Sequence, residues 1–130
     1  IVVQSGHILL IQRKAAPGKG LWALPGGFLE QKERIIDGII RELYEETRLK
    51  VPKPVLRGSI TKREVFDDPG RSERGRIVTH AALIELPPGE LPQVKGADDA
   101  RRAKWVPISD LREDNMFEDH FHIINNMLGL

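Results

Sequence analysis

The sequence predicts an α/β fold with a mixed β-sheet. Apolar, β-branched runs typical of strands stand on both sides of one amphipathic helix, and a second helical pattern ends the chain. A length of 130 residues is sufficient for one ordinary domain with a hydrophobic core. We therefore expect a single domain over residues 1–130. Because Ile1 lies within a strand-like run, we also expect an incomplete N-terminal strand, and hence a fragment of a longer chain.

The composition argues against several functional classes. Hydrophobic residues make up 40% of the chain and the formal net charge is +1, which fits a soluble globular protein without a strong field for nucleic acid. The absence of cysteine excludes disulfides, thiol catalysis and cysteine zinc sites. No apolar run approaches the roughly 18–20 residues that span a bilayer, and no signal peptide is visible. We expect a cytoplasmic protein without a membrane or nucleic-acid partner.

Two apolar runs at the start of the chain predict a β-hairpin. They cover residues 1–4 and 7–12 and are separated by Ser5-Gly6. A loop of proline and glycine residues follows over 17–20. Residues 22–27 then predict a short strand that stops at Pro-Gly-Gly, where the backbone has to turn sharply and approach another group closely.

The central helix is predicted to begin within residues 32–34 and to end at residue 47 or 48. At about 100° per residue, four apolar side chains fall on one stripe, namely Ile36, Ile39, Ile40 and Leu43. Gly38 lies inside this helix, where glycine costs roughly 1 kcal/mol relative to alanine. Close packing of the helix on the sheet would explain the small residue, as would simple tolerance.

Three carboxylates crowd one edge of the same helix. Glu42 and Glu46 lie one turn apart beside the apolar stripe, and Glu45 lies next to them. Like charges at this spacing repel each other, and a hard divalent cation with oxygen ligands would offset the repulsion. The alternative is that the adjacent pair 45–46 is only part of a solvated helix face.

The second half of the chain alternates strand patterns with polar loops. Strands are predicted over residues 55–64, 77–86 and 103–107. A proline-punctuated connection over 51–54 precedes the first of them, and a long charged loop over 67–76 precedes the second.

The last helix is predicted over residues 117–128. Its apolar stripe follows the helical period and comprises Phe117, Phe121, Ile124 and Leu128. His120 and His122 are expected on the solvated flank, since their spacing points them about 160° apart. Ser109 is the expected N-cap of a short turn ahead of this helix.

The segment around the central helix resembles the signature of the Nudix hydrolases, Gly-x5-Glu-x7-Arg-Glu-U-x-Glu-Glu-x-Gly-U, where U is aliphatic. The matching residues are Gly27, Glu33, Arg41, Glu42, Leu43, Glu45, Glu46 and Leu49. The last glycine of the family pattern is replaced by Arg48, which removes an easy left-handed helix cap. The resemblance implies the α/β/α sandwich of the family, with a mixed sheet.

The resemblance also implies a metal site for Mg²⁺, or for Mn²⁺, since hard cations choose oxygen ligands and accept substrate phosphates. The implied metal-binding residues are Gly27, Glu42, Glu45 and Glu46. Such ions neutralise an anionic diphosphate and activate a water that breaks the phosphoanhydride. Arg41 is expected to pair with Glu33 and hold the loop on the helix, the alternative being a weak surface salt bridge.

The resemblance implies that the general base lies on the loop that precedes the strand with Trp105, as in several Nudix enzymes. Asp99 is the first candidate and Asp98 the second, and turn residues are the alternative at both positions. The full set of residues expected to take part in catalysis is Glu33, Arg41, Glu45, Glu46 and Asp99.

Residues outside the signature indicate a particular group within the Nudix family. The segment 65–76, with 79–81, 96–100 and 117–120, is similar to the Nudix domain of bifunctional nicotinamide mononucleotide adenylyltransferase/ADP-ribose pyrophosphatases. This similarity implies Mg²⁺-dependent cleavage of ADP-ribose to AMP and ribose 5-phosphate. Arginines could bind phosphates by bidentate bonds, and aromatic rings could stack on adenine. The candidates are Arg13, Trp22, Phe66, Arg71, Arg74 and Arg76, against the alternative of a solvated loop and core aromatics.

Two other functions stay open at this point. One is a MutT-like pyrophosphohydrolase of (d)NTPs. The other is an ADP-ribose-sensing domain of a Nudix-related transcriptional regulator of NAD metabolism, although such sensors would be expected to lose the carboxylates that are present here. Further expected partners are a second copy in a homodimer and a fused nicotinamide mononucleotide adenylyltransferase domain.

Overall fold

The computed structural model describes residues 1–72, 74–95 and 100–130, with the backbone alone at 100 and 101. In chain order the elements are β1 (Val2–Gln4), β2 (His7–Arg13), β3 (Trp22–Ala23), α1 (Ile35–Thr47), α2 (Lys53–Gly58), β4 (Ile60–Phe66), β5 (Thr79–Glu85), β6 (Ala100–Pro107) and α3 (His120–Leu128). Two short 3₁₀ turns, Ile108–Asp110 and Glu113–Asn115, connect β6 to α3. No helix in these described ranges is long and apolar enough to cross a bilayer.

The six strands found in the described residues form one mixed sheet. Strand β1 pairs antiparallel with β2 and parallel with β5, and β4 continues the sheet antiparallel to β5. Strand β2 also pairs antiparallel with β3 and with β6. The predicted mixed sheet is therefore confirmed. The first hairpin is confirmed as well, and its turn has two left-handed residues, Ser5 at φ 48° and Gly6 at φ 74°.

The two long helices cover opposite faces of this sheet. Alternate residues of β2 point to opposite sides, so that Leu9 packs in the same cluster as Ile40 of α1. Its neighbour Leu10 packs with Ile124 of α3. The burial of both faces makes the domain an α/β/α sandwich, as the family resemblance implies.

The predicted strand over 55–64 is wrong in its first part. Residues Lys53–Gly58 form helix α2, and the strand begins only at Ile60. Pro54 lies in the first helical turn, where its fixed φ suits a helix and its missing N–H costs nothing. Leu56 turns into the core cluster beside α1 and thereby anchors the helix.

The ends of the other helices also differ from the expected ones. Helix α1 begins at Ile35, slightly later than expected, after an extended Arg34. It ends as expected at Thr47, and Arg48 adopts the left-handed cap conformation at φ 53° despite its side chain. Helix α3 begins at His120, because Glu118 has a φ of 46° that a helix cannot contain. Ser109 lies inside a 3₁₀ turn and is not its N-cap.

Position 38 needs a glycine because of the loop that precedes α1 and not because of the sheet. A Cβ at this position would clash with the Cδ2 of Leu29 and would lie 2.9 Å from Oε1 of Glu33, both in the segment before α1. Glycine therefore lets that segment lie directly against the helix.

We expect Gly38→Ala to destabilise the domain by about 1 kcal/mol, because an overpacking cost of about 1–3 kcal/mol exceeds the helix-propensity gain. Urea unfolding measures this effect. Gly58→Ala is the matched control, since a Cβ at this other helical glycine meets nothing within 4 Å. If Gly38→Ala proves as stable as Gly58→Ala, the loop does not need the space.

Candidate metal and diphosphate site

Arg41 ties the loop before α1 to the carboxylates of the helix. Its Nε and Nη2 donate to the two carboxylate oxygens of Glu33 at 2.7 and 2.9 Å. Its Nη1 donates to Glu42 at 2.6 Å and to Glu45 at 3.2 Å, while Nη2 also reaches the carbonyl of Phe28 at 3.1 Å. The expected Arg41–Glu33 pair is thus present in bidentate form, and it fixes the loop against the helix.

Glu33 and Arg41 stabilise each other's charged forms. The pKa of the Glu33 carboxyl is lowered to about 2, chiefly because Arg41 donates to it and also because the Glu30 N–H does. In return the pKa of Arg41 is raised, first by Glu33 and then by Glu42. Both groups consequently keep their charge at neutral pH.

The glycine turn brings two glutamates of α1 to the same backbone. The N–H of Gly26 donates to Oε1 of Glu46 at 2.6 Å. A Cβ at Gly27 would lie 2.6 Å from Oε2 of Glu42, so only glycine leaves room for that carboxylate. Glu45, in contrast, is 51% exposed and turns toward Arg41.

A cavity of about 610 Å³ opens beside this turn. Glu42 and Glu46 line it, together with the glycine turn. Arg13 and Arg74 line the same cavity. The remaining polar and aromatic lining residues include Thr79, His80, Phe117 and His120. The cavity therefore presents acceptors for a cation and donors for an anion.

The donor set of this cavity fits a hard divalent ion. Glu42 and Glu46 both offer carboxylate oxygens beside the glycine turn, and Gly27 leaves the space that the first of them occupies. Within the described ranges, no three acidic or histidine side chains converge on one point. A pair of carboxylates is nevertheless the usual protein share of a Mg²⁺ site, in which waters and substrate phosphates complete the shell.

The arginines of the cavity are held by one aromatic ring. The guanidinium carbon of Arg13 lies 4.1 Å from the centroid of Phe117, and that of Arg74 lies 5.3 Å from it. Phe117 itself is 4% exposed, and its backbone N–H donates to the carbonyl of Trp22 at 2.8 Å. The buried Phe117 ring thus holds the guanidinium groups of Arg13 and Arg74 at the cavity by cation–π contact.

Arg71 has protein partners for its whole guanidinium. It binds Asp119 through Nε at 2.7 Å and Nη2 at 3.1 Å, and its Nη1 donates to the carbonyls of Phe66 and Ile77. Arg71 and Phe66 line a second, separate cavity of about 580 Å³. Arg71 therefore attaches the loop between β4 and β5 to Asp119, which immediately precedes α3.

Two further sequence candidates, Trp22 and Arg76, do not line the main cavity. Trp22 packs in the cluster beneath α3, with the Nζ of Lys104 at 5.0 Å from its ring. Arg76 is exposed on the loop before β5. Asp98 and Asp99 lie outside the described residues, so the identity of the general base stays a prediction.

A family model described as the NUDIX domain matches residues 1–127. The chain belongs to the Nudix family. The predicted family, the Nudix α/β/α fold and the prediction of a Nudix hydrolase domain are thereby confirmed. Nudix hydrolases generally use divalent metal ions, which agrees with the donor set described above.

Two ADP-ribose pyrophosphatases are similar to this Nudix domain. An ADP-ribose pyrophosphatase from Methanocaldococcus jannaschii is 34% identical over 128 residues, which are 98% of this chain and 69% of that protein. A bifunctional NMN adenylyltransferase/ADP ribose pyrophosphatase from Francisella tularensis, complexed with AMP and a Mn ion, is 44% identical with a TM-score of 0.94. The match covers 99% of this chain but 39% of the Francisella chain.

A second solved structure is also similar to this Nudix domain. The NUDIX domain of Shewanella oneidensis NrtR, complexed with ADP ribose, is 25% identical and has a TM-score of 0.81. The match covers 98% of this chain and 82% of that chain.

His120 is a cavity residue that the sequence placed wrongly. His122 is exposed as expected, but His120 is half-buried, and its Nδ1 accepts the N–H of Leu24 at 3.0 Å. Only a ring that is unprotonated at Nδ1 can accept this bond. Burial lowers the pKa of His120 to about 4, and Arg71 and Arg13 add to this effect against the opposing charges of Asp119 and Glu118.

We expect the Nudix domain to lose stability through His120 as the pH falls. The unfolded state, with a histidine pKa of 6.5, binds the proton before the folded state does. Stability is therefore complete above pH 6.5 and declines toward pH 4, by about 2 kcal/mol between pH 8 and pH 5. Urea unfolding at several pH values measures this loss.

His120→Asn provides the comparison, because the Asn Oδ1 can accept the Leu24 N–H without titrating. The variant should lose less stability toward pH 5, whereas the exposed control His122→Asn should follow the unmodified domain. Equal pH profiles for all three proteins would contradict the assignment.

Proposed function

We propose that this Nudix domain cleaves ADP-ribose to AMP and ribose 5-phosphate, with Mg²⁺ as its metal and Mn²⁺ as a substitute. The observation that carries the proposal is the single cavity that combines Glu42 and Glu46 with Arg13 and Arg74. A diphosphate needs both kinds of group: a metal ion that neutralises its negative charge, and guanidinium groups that donate to its oxygens. The ADP-ribose pyrophosphatase names of two relatives support this substrate.

The protein groups divide the work as follows in this proposal. Glu42 and Glu46 would hold the metal, with Glu45 as a further ligand, and a bound divalent ion would neutralise the diphosphate and lower the pKa of the attacking water. Arg41 keeps the carboxylates in place through its fork to Glu33. The bond between one phosphorus and the bridging oxygen breaks as the oxygen of water bonds to that phosphorus. The proton of the water passes to a base, for which Asp99 remains the first candidate.

The substrate side rests on the two arginines of the cavity. Arg13 and Arg74 are proposed to donate to the phosphate oxygens, since both line the cavity while resting on Phe117. Phosphate contacts by Arg71 and Arg76, and adenine stacking by Phe66 or Trp22, stay predictions from sequence.

A substrate panel tests the proposal. The purified domain is incubated with ADP-ribose, dATP and dGTP, each with Mg²⁺, with Mn²⁺ and with EDTA, and the products are separated by ion-exchange chromatography. We expect AMP and ribose 5-phosphate from ADP-ribose with either metal and no product with EDTA. Faster release of pyrophosphate from the (d)NTPs would instead identify a MutT-like enzyme.

A sensor of ADP-ribose is the second candidate, because the Shewanella NrtR domain that resembles this chain is complexed with ADP ribose. Calorimetry with ADP-ribose and Mg²⁺ distinguishes the two. Tight binding without any AMP in the panel would identify a sensor. The intact carboxylate set of Glu42, Glu45 and Glu46 favours turnover.

We also propose that residues 1–130 form one Nudix domain of a longer cytoplasmic protein with a fused NMN adenylyltransferase domain, and that the domain forms a homodimer. The support for the fusion is the Francisella chain, of which the match covers 39%. The coding sequence on either side of this segment tests the fusion, and size-exclusion chromatography with light scattering tests the dimer.

A further inference from the structure

The turn before α3 holds the loop between β4 and β5 by charge. Glu118 accepts a hydrogen bond from the hydroxyl of Ser72 at 2.5 Å. It also accepts bonds from Nη2 of Arg74 at 3.0 Å and, more weakly, from its Nε at 3.4 Å. The Ser72 hydroxyl in turn accepts the backbone N–H of Arg74 at 3.1 Å. Both the backbone and the side chain of Arg74 are therefore fixed by one glutamate and its serine partner.

The side chain of Glu118 is largely covered although the residue as a whole is exposed, and its backbone adopts a costly conformation. Its side chain is 16% exposed, and its φ of 46° lies in the left-handed region that non-glycine residues avoid. Burial acts to raise the pKa of Glu118, but the hydrogen bonds from Ser72 and Arg74 outweigh it and lower the pKa. The strained turn is thus maintained together with an ionised carboxylate that faces Arg74.

The neighbouring residue completes the support of the same arginine. Phe117 lies under the guanidinium of Arg74 while Glu118 binds its donors. Gly18 makes room for this ring, since a Cβ there would lie 2.8 Å from Cε1 of Phe117. Arg74 is 35% exposed, so part of its guanidinium remains accessible from the cavity that it lines.

We propose that Glu118 is a positioning residue for substrate binding, which acts only through Arg74. The inference rests on the proposed function, because it takes the diphosphate of ADP-ribose as the anion that Arg74 binds. A guanidinium that is already ordered loses less side-chain entropy when the phosphate binds. Glu118 makes no contact with the substrate; it presents Arg74 to the phosphate oxygens in a fixed orientation.

A charge-conserving variant tests this role. Glu118→Asp keeps the carboxylate but shortens its reach, so that any change comes from geometry and not from the net charge of the cavity. We expect KM for ADP-ribose to rise about fivefold to tenfold, with kcat within about twofold of the unmodified domain. The Kd for ADP-ribose, measured by calorimetry with EDTA, should rise in parallel. Glu113→Asp is the matched control on the same segment.

A double-mutant cycle shows whether the effect passes through Arg74. Arg74→Gln should raise KM more than Glu118→Asp does, and adding Glu118→Asp to Arg74→Gln should change KM no further. Additive effects of the two substitutions would overturn the inference, as would an unchanged KM in Glu118→Asp. Should that variant fold poorly, Ser72→Ala removes one support of Glu118 and should raise KM about twofold to threefold.

The outcome separates this inference from the proposed function. If the unmodified domain neither binds nor cleaves ADP-ribose, the proposed function is wrong and the role of Glu118 is overturned with it. If the unmodified domain cleaves ADP-ribose and Glu118→Asp keeps its KM and Kd, only the positioning role is wrong.

Discussion

Glu46→Gln is expected to lower kcat for ADP-ribose about a thousandfold, which corresponds to about 4 kcal/mol of lost transition-state stabilisation. The glutamine keeps an oxygen that can accept the Gly26 N–H, which Glu46 accepts at 2.6 Å, so the turn should remain in place. What is lost is the negative charge that would hold the divalent ion. Steady-state kinetics with saturating Mg²⁺, together with calorimetric titration of Mn²⁺, measures both effects.

Glu64→Gln is the matched control for Glu46→Gln. Glu64 is an exposed glutamate of β4 that does not line the cavity, and its replacement removes the same charge. We expect its kcat and Mn²⁺ affinity to equal those of the unmodified domain. If Glu46→Gln retained full activity and bound Mn²⁺ as well as this control, the metal site would have to lie elsewhere.

Arg41→Lys should have the second largest effect, a loss of about 10–100-fold in metal affinity or kcat. The charge is conserved, but lysine has three donors on one nitrogen and cannot reproduce the fork that arginine makes. That fork holds Glu33 through two bonds and Glu42 through a third, at 2.6–2.9 Å. Without it, the loop and the metal-binding carboxylate are no longer held in one geometry.

The measurement for Arg41→Lys is the Mn²⁺ affinity, followed by kcat at saturating metal. Arg34→Lys is its control, because Arg34 is an exposed arginine that immediately precedes the same helix. Restoration of full kcat by high Mn²⁺ would show that Arg41 acts on metal binding alone. An unaltered Mn²⁺ affinity would instead show that the contacts of Arg41 are only a weak surface salt bridge, which was the alternative considered from the sequence.

Local sequence rules predicted the parts of the site that lie close together in the chain. Glu42 and Glu46 are one helical turn apart, so their common edge follows from the helix period alone. The pairing of Arg41 with Glu33 spans eight residues and followed from the family signature. The same signature explains why glycine occupies position 27, although the contact of its space with the Glu42 carboxylate is visible only in the structure.

Helix α2 and His120 differ from their sequence predictions for physical reasons. The β-branched Val55 favoured a strand. The segment forms helix α2 instead, because Pro54 suits the first turn of a helix and Leu56 is buried in the core. His120 looked like a surface residue because its two-residue spacing from His122 was measured on an ideal helix. His120 is in fact the first residue of α3 and turns back to the backbone of Leu24.

By itself, the sequence determined the family, the central helix and the carboxylates that its edge presents, because these features depend on neighbours within a few residues. Only the tertiary structure decided which groups line the same cavity as those carboxylates. The contact of Arg74 with Glu118 spans 44 residues, and that of Leu24 with His120 spans 96. Such pairs are set by how the sheet brings distant segments together, and no local period or propensity encodes them.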